Sequence, residues 1–194
     1  MNTALLEKEI RKLFEFDPEL FEEFIQHMKI VKLNKEEVWE EAGKIAVFAG
    51  FVNKGILREY QIREGKEFIH QFYQEGDFIG NYISYQNQIV SEFRLCAIED
   101  CEILRIPFVQ LENLSQKHAE IARFSEYVGR KKEKEIQDRA AALLTKGPEE
   151  RYRDLLEKRG EIVNRVPQYF IAQYLGVSPI SLSRIRKRIF LNKG

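Results

Sequence analysis

The chain of 194 residues predicts an α+β fold: two short helices, a glycine-punctuated β-barrel or sandwich, a long connecting helix and a C-terminal helix-turn-helix. Three observations carry that prediction. Between about Lys29 and Ile106, β-branched and aromatic runs are broken by Gly43, Gly50, Gly55, Gly65, Gly76 and Gly80, the texture of many short strands. From Pro107 to Leu144 there is no internal proline and apolar residues recur at helical spacing. From Gln168 to Arg188 two short amphipathic stretches flank Gly176, Ser178 and Pro179. The expected organisation is a barrel over residues 1–106, a long helix over 107–145 and a helix-turn-helix domain over 146–194.

Residues 3 to 28 open the chain as two helices, the second started by Asp17 and Pro18 as cap and first-turn residue before Leu20, Phe21, Phe24 and Ile25. In the strand region, Arg63-Glu-Gly-Lys66 reads as a hairpin turn ahead of the run Phe68 to Tyr73. Phe93, Leu95 and Ala97 alternate, Ile103 and Ile106 close the region, and Pro107 suits a helix start. The long helix keeps its apolar spacing through Leu111, Leu114, Ile121, Phe124 and Val128. The spacing then fails across Arg130-Lys-Lys-Glu-Lys-Glu135, so no continuous coiled-coil seam is demonstrated. Ile121, Phe124 and Val128 are the candidates for a dimer seam; the competing reading is a solvated helix lying on the barrel. Lys146-Gly-Pro148 ends the helix.

The last segment carries the functional reading. Ile171, Ala172 and Leu175 share one face of a first helix, and Gly176 stands where the turn needs positive φ. Ser178 offers an oxygen to the free amides of the next helix and Pro179 suits its first turn. On that helix Leu182, Ile185 and Ile189 cluster on one side, while Ile180, Ser183, Arg184 and Lys187 point the other way. Such a face fits the major groove of double-stranded DNA: Arg184 can take guanine bidentately and Ile180 can meet a thymine methyl. Lys187, Arg188 and Lys193 suit phosphates, which position without specifying. Gln168, Ser178, Pro179 and Ser181 complete the expected DNA-contacting set.

Composition limits the alternatives. Lysine plus arginine balance aspartate plus glutamate at 31 each, but from Lys146 onward eleven basic residues face five acidic ones, about +6 against −6 for the rest. Two cysteines, Cys96 and Cys101, are too few for a disulfide framework or a four-thiolate cluster, and read as buried strand residues. The N-terminus runs into charge at once and no apolar run reaches membrane-spanning length, so a cytoplasmic protein with no membrane association is expected. Only His70 of His27, His70 and His118 falls in the barrel, which argues against haem and against a cupin-type metal enzyme needing clustered histidines. No catalytic triad, phosphate loop or dinucleotide signature is present. The chain therefore reads as no enzyme, with no metal and no cofactor. A sensor acting through protein partners would leave Ile180, Arg184 and Lys187 without use.

The order of elements resembles the cyclic-AMP receptor protein and Fnr (Crp/Fnr) superfamily of bacterial transcription regulators, over nearly the whole chain. Gly76-Asp-Phe-Ile-Gly80 looks like the opening of that family's phosphate-binding cassette and Ser181 to Lys187 like its recognition helix. Arg151-Tyr152 and Arg165-Val-Pro167 look like the Bacteroidetes branch. The resemblance implies a jelly-roll, cyclic-nucleotide-binding-like barrel, a homodimer on a palindromic site, an effector bound in the barrel, and RNA polymerase as a further partner. It also exposes departures. Where nucleotide-binding members carry a glutamate after the cassette glycine, Asn81 follows Gly80; where they carry Arg-Ser, the chain has Ser91-Glu92. Losing the arginine removes the charge-assisted fork for a cyclic phosphate, and Glu92 is expected to oppose an anion. An unknown effector other than cyclic AMP, neutral or cationic, is then expected near Gly80, Asn81, Tyr82, Ser91, Glu92 and Phe93, unless the barrel is an empty scaffold. The family's β-wing after the recognition helix is expected to be absent.

Overall fold

A computed structural model describes residues 2–191; the expectation for Lys193 falls outside them. Two helices come first, α1 (Ala4–Arg11) and α2 (Pro18–Gln26), and Asp17 caps α2 by accepting from the Leu20 amide at 2.8 Å. Eight strands follow: β1 (Lys29–Leu33), β2 (Val38–Glu40), β3 (Phe48–Lys54), β4 (Leu57–Arg63), β5 (Lys66–Tyr73), β6 (Phe78–Ile79), β7 (Arg94–Ala97) and β8 (Cys101–Pro107). They form two open antiparallel sheets of four strands, β1-β8-β3-β6 and β2-β7-β4-β5, a jelly roll rather than a closed barrel. The β4–β5 hairpin turns at Glu64 and Gly65, both at positive φ (51° and 73°), which matches the right-handed strand twist. A helix, α3 (Tyr82–Asn87), interrupts the strands after β6.

The long helix is broken once, at His118 (φ −128°, ψ 115°), giving α4 (Phe108–Lys117) and α5 (Ala119–Thr145). Here the dimer-seam expectation needs correction. Ile121 is fully buried and Phe124 nearly so, in a core with Leu6, Ile10, Phe16, Phe24 and Phe51, and Val128 packs partly against the same core. Phe124 is the hub: its ring centroid lies 5.7 Å from Phe14, 5.9 Å from Phe16, 6.1 Å from Phe24 and 5.2 Å from Phe78. Helical spacing shows that one face is apolar without telling which partner covers it, and α1 and α2 cover this one. Beyond the charged run, the large apolar side chains that α5 leaves exposed are Ile136, Leu143 and Leu144.

Three helices end the described chain: α6 (Pro148–Arg165), kinked at Arg159, α7 (Gln168–Leu175) and α8 (Pro179–Leu191). They are not a detached unit. Tyr152, Ile162, Phe170, Ile171 and Leu175 share one buried core with Tyr60, Ile69 and Phe72 of the second sheet and with Ile56 and Ile98 beside its strands. The chain boundary expected at residue 146 falls in the short turn between α5 and α6. Cys96 and Cys101 are free and buried, as expected. Among the described residues no helix is long and apolar enough to cross a membrane.

Candidate nucleic-acid interface and barrel site

The geometry of α7 and α8 follows from a few residues. Ala172 and Ile171 are fully buried and Gly176 takes φ +66°, closing α7 with its amide donating to the Gln173 carbonyl at 3.0 Å. Ser178 Oγ then accepts from the Ser181 amide at 3.1 Å, and Pro179 opens α8. Leu182, Ile185 and Ile189 are buried, which fixes the helix's roll. The opposite face is presented to solvent: Ile180 is 67% exposed, and Ser178, Pro179, Ser181, Ser183, Arg184, Lys187 and Arg188 are exposed with it. Among the described residues, Arg184 and Lys187 have no carboxylate within salt-bridge distance, whereas Arg188 pairs with Glu149 at 2.9 Å. Gln168 does not join the face. Its side-chain amide donates to the Val163 carbonyl at 3.5 Å and its Oε1 is buried.

In the jelly roll, the expected effector residues divide. Gly80 takes φ +122°, and a Cβ there would stand 2.7 Å from the Phe48 carbonyl oxygen, so only glycine brings this backbone onto β3. Asn81 caps α3 by accepting from the Ser84 amide at 3.1 Å and donates to Ser91 Oγ at 3.3 Å, with Ser91 itself buried. Tyr82 leaves this group and donates to Glu112 of α4 at 3.0 Å. Glu92 leaves it too, pairing on the surface with Arg63 and accepting from Gln61 at 3.0 Å. The expectation that Glu92 opposes an anion in the site is therefore corrected: cross-strand pairing turns it to the β4 end. Phe93 packs edge-on against His70 at 4.9 Å, and burial lowers the His70 pKa.

Residues that sequence reasoning missed take the place of Glu92. Lys132 of α5 donates to the Gly80 carbonyl at 3.1 Å, stands 3.7 Å from Glu59 and lies over the Tyr73 ring at 5.4 Å. Tyr73 donates to Glu59 at 3.1 Å, and burial pushes its phenol pKa well up. Burial also holds the Glu40 carboxyl above its ordinary value, opposed by Ser91 and Lys132. The group at Gly80 thus pairs two carboxylates with one ammonium and offers no guanidinium fork. It does not fit a cyclic phosphate. Among the described residues no three of His, Cys, Asp and Glu are grouped to hold a metal.

Fold and site together define a two-part protein: a ligand-domain jelly roll joined by a long helix to a basic helix pair. Residues 30–118 match the family described as the cyclic nucleotide-binding domain. The fold is shared with FixK2 of Bradyrhizobium japonicum (18% identity, 86% of each chain, TM-score 0.72). It is also shared with the c-di-GMP responsive global regulator CLP of Xanthomonas campestris (18% identity, 91% of this chain and 93% of that one, TM-score 0.68). A transcriptional regulator of the Crp/Fnr family from Eubacterium rectale aligns over 91% of this chain and 85% of its own at 15% identity and TM-score 0.67. No curated protein sequence matches the chain. Residues 30–118 thus resemble the cyclic nucleotide-binding domain, and the chain shares its fold with these regulators.

Proposed function

We propose that the protein is a sequence-specific DNA-binding transcription regulator, not an enzyme, acting as a cytoplasmic homodimer on an inverted repeat. One observation carries the reading: the outward face of α8 holds Ile180, Ser183, Arg184 and Lys187 exposed, with Arg184 and Lys187 free of carboxylate partners among the described residues, above a buried face that fixes its roll. Two such helices in a dimer would enter successive major grooves roughly 34 Å apart. Arg184 reads guanine, Ile180 meets a methyl, and Lys187 and Arg188 take phosphates, Arg188 by giving up Glu149. Ile136, Leu143 and Leu144 of α5 supply the seam between protomers. Working units over 1–106, 107–145 and 146–194, and contact with RNA polymerase, belong to the same reading.

The jelly roll keeps the architecture of a ligand domain without the chemistry for cyclic AMP. Its effector, if the protein uses one, is neutral or cationic, because Glu40 and Glu59 face the Gly80 segment and Lys132 already neutralises part of their charge. Selection from a randomised duplex library by the purified protein, with no ligand added, tests the central reading. Enrichment of an inverted repeat supports it, and uniform retention of all sequences at low salt refutes sequence-specific recognition.

A further inference from the structure

The second sheet ends at β5, an edge strand carrying a bulge at His70: Glu59 pairs with Gln71 and Tyr60 with Ile69, so His70 has no opposite number. An edge exposes carbonyls that must find donors elsewhere. On β5 these donors are arginines from the helices. Arg139 of α5 donates to the Ile69 carbonyl at 3.0 Å and, with the same nitrogen, to the Tyr174 carbonyl of α7 at 2.8 Å, while its guanidinium lies 3.7 Å over the Tyr174 ring. Arg159, at the kink of α6, donates to the Phe72 carbonyl at 2.9 Å and to Asp77. Arg165, at the end of α6, takes Glu75 with two nitrogens at 2.9 and 2.8 Å and also meets Glu99.

The three arginines do not share one role with the surrounding surface ion pairs. Each runs from a helix to the jelly roll, each uses more than one acceptor, and four of their six acceptors follow one another along the chain as Ile69, Phe72, Glu75 and Asp77. A lysine could meet any one of these acceptors but could not hold the paired acceptors of Arg159 or Arg165 from two nitrogens in one plane. Arg139 joins three parts at once: the long helix, the sheet edge and the first helix of the DNA-facing pair. The same face of α5 also sends Glu135 to accept from Gln71 at 3.2 Å and Lys132 to Gly80, so the spacing 132, 135, 139 is a polar stripe laid along β5 and the end of β6.

We infer that Arg139, Arg159 and Arg165 form an interdomain clamp on the β5 edge and the adjoining turns that sets the orientation of α8 relative to the jelly roll and the long helix. The apolar core beneath supplies adhesion; the arginines, with directional contacts, supply the angle. A dimer must hold two recognition helices at one spacing and tilt, so the clamp matters for a two-half-site operator and not for random duplex. That last step rests on the DNA-binding reading above; the clamp itself does not.

The test uses the full chain with Arg159→Met and Arg165→Met together, and separately Arg139→Met, since methionine keeps much of the stem and removes the fork. Small-angle scattering without DNA is expected to show a larger radius of gyration, and trypsin is expected to cut after Lys146 faster than in the wild type. Affinity for the selected inverted repeat should fall about tenfold, within the range of ordinary coupling energies, with random-duplex affinity unchanged. Arg165→Lys should restore less than half of that loss. Unchanged scattering and cleavage in both variants would overturn the clamp. Altered scattering with unchanged operator affinity would overturn its role in orientation. Loss on operator and random duplex alike would instead strike at the DNA-binding face. Should the double variant fail to fold, Arg139→Met alone must show the faster cleavage and the selective loss on the inverted repeat; wild-type behaviour there overturns the clamp equally.

Discussion

Phe124 separates two accounts of the long helix, and its truncation to alanine decides between them. Its side chain is nearly fully buried among Phe14, Phe16, Phe24 and Phe78, all within one chain. Removing the ring returns roughly 150 Å² of apolar contact, which at about 25 cal/mol per Å² is about 4 kcal/mol. That lies within the roughly 3 to 5 kcal/mol seen for such truncations, where the cavity adds to the transfer loss. For a chain of this length the melting temperature should drop by about 8 to 16 °C. Urea and thermal denaturation followed by far-ultraviolet dichroism measure the loss, and light scattering after size exclusion reads the assembly. The companion Ile136→Ser changes a side chain 59% exposed in the single chain; it should shift the proposed dimer towards monomer while leaving the fold of each chain in place. A loss below about 1 kcal/mol for Phe124→Ala, accompanied by dissociation, would refute the reasoning and return Phe124 to the seam.

Four other perturbations follow from the same geometry. Arg184→Ala should cost about 1 to 3 kcal/mol and relax discrimination at one base pair per half-site, whereas Lys187→Ala should weaken all duplexes alike and lower the salt slope; competition binding against single-base variants at several salt concentrations checks both. Glu40 has its pKa raised by burial, so between the ordinary carboxylate range and that raised value the folded chain binds a proton that the unfolded chain does not, and stability falls as pH rises through this window. Glu40→Gln should therefore raise the melting temperature at pH 7 and leave it unchanged near pH 4. Tyr152 is fully buried and its hydroxyl has no hydrogen-bond partner among the described residues, so Tyr152→Phe should be neutral to stabilising by about 1 kcal/mol in urea denaturation. Burial pushes the Cys101 thiol up to about 12 and raises Cys96 as well, so neither should react with iodoacetamide at pH 8 in the native state, with both labelled after unfolding by mass spectrometry.

What could be read from the sequence is local in its physics. The cap at Asp17, the two positive-φ residues of the β4–β5 turn, the αL glycine at 176 and the Ser178 cap each act within a few residues, so spacing alone places them. The outward face of α8 follows from one period and three buried residues. Longer-range pairing was not legible. Phe124 has the same helical spacing whether a partner chain or α1 and α2 cover it. Glu92 follows Ser91 in sequence, yet the register of β4 against its neighbours gives it Arg63 as a partner. Gln168 stands at the start of α7, where an amide suits a phosphate, and the fold gives it to the Val163 carbonyl instead.

The charged run from Arg130 to Glu135 shows why the apolar pattern of α5 stops at Val128. A helix lying on a bare sheet edge meets a row of carbonyls and turn carboxylates, and apolar side chains there would leave those acceptors without donors. Lys132, Glu135 and Arg139 at spacings of three and four supply polar partners on one face, while Ile136 and Leu143 stay exposed on another. The break in hydrophobic periodicity thus marks where the helix changes its partner, from the aromatic core under α1 and α2 to the edge of β5. A stretch that reads as solvated charge in one dimension is, in three, the part of the long helix that touches both the jelly roll at Gly80 and, through Arg139, the end of α7.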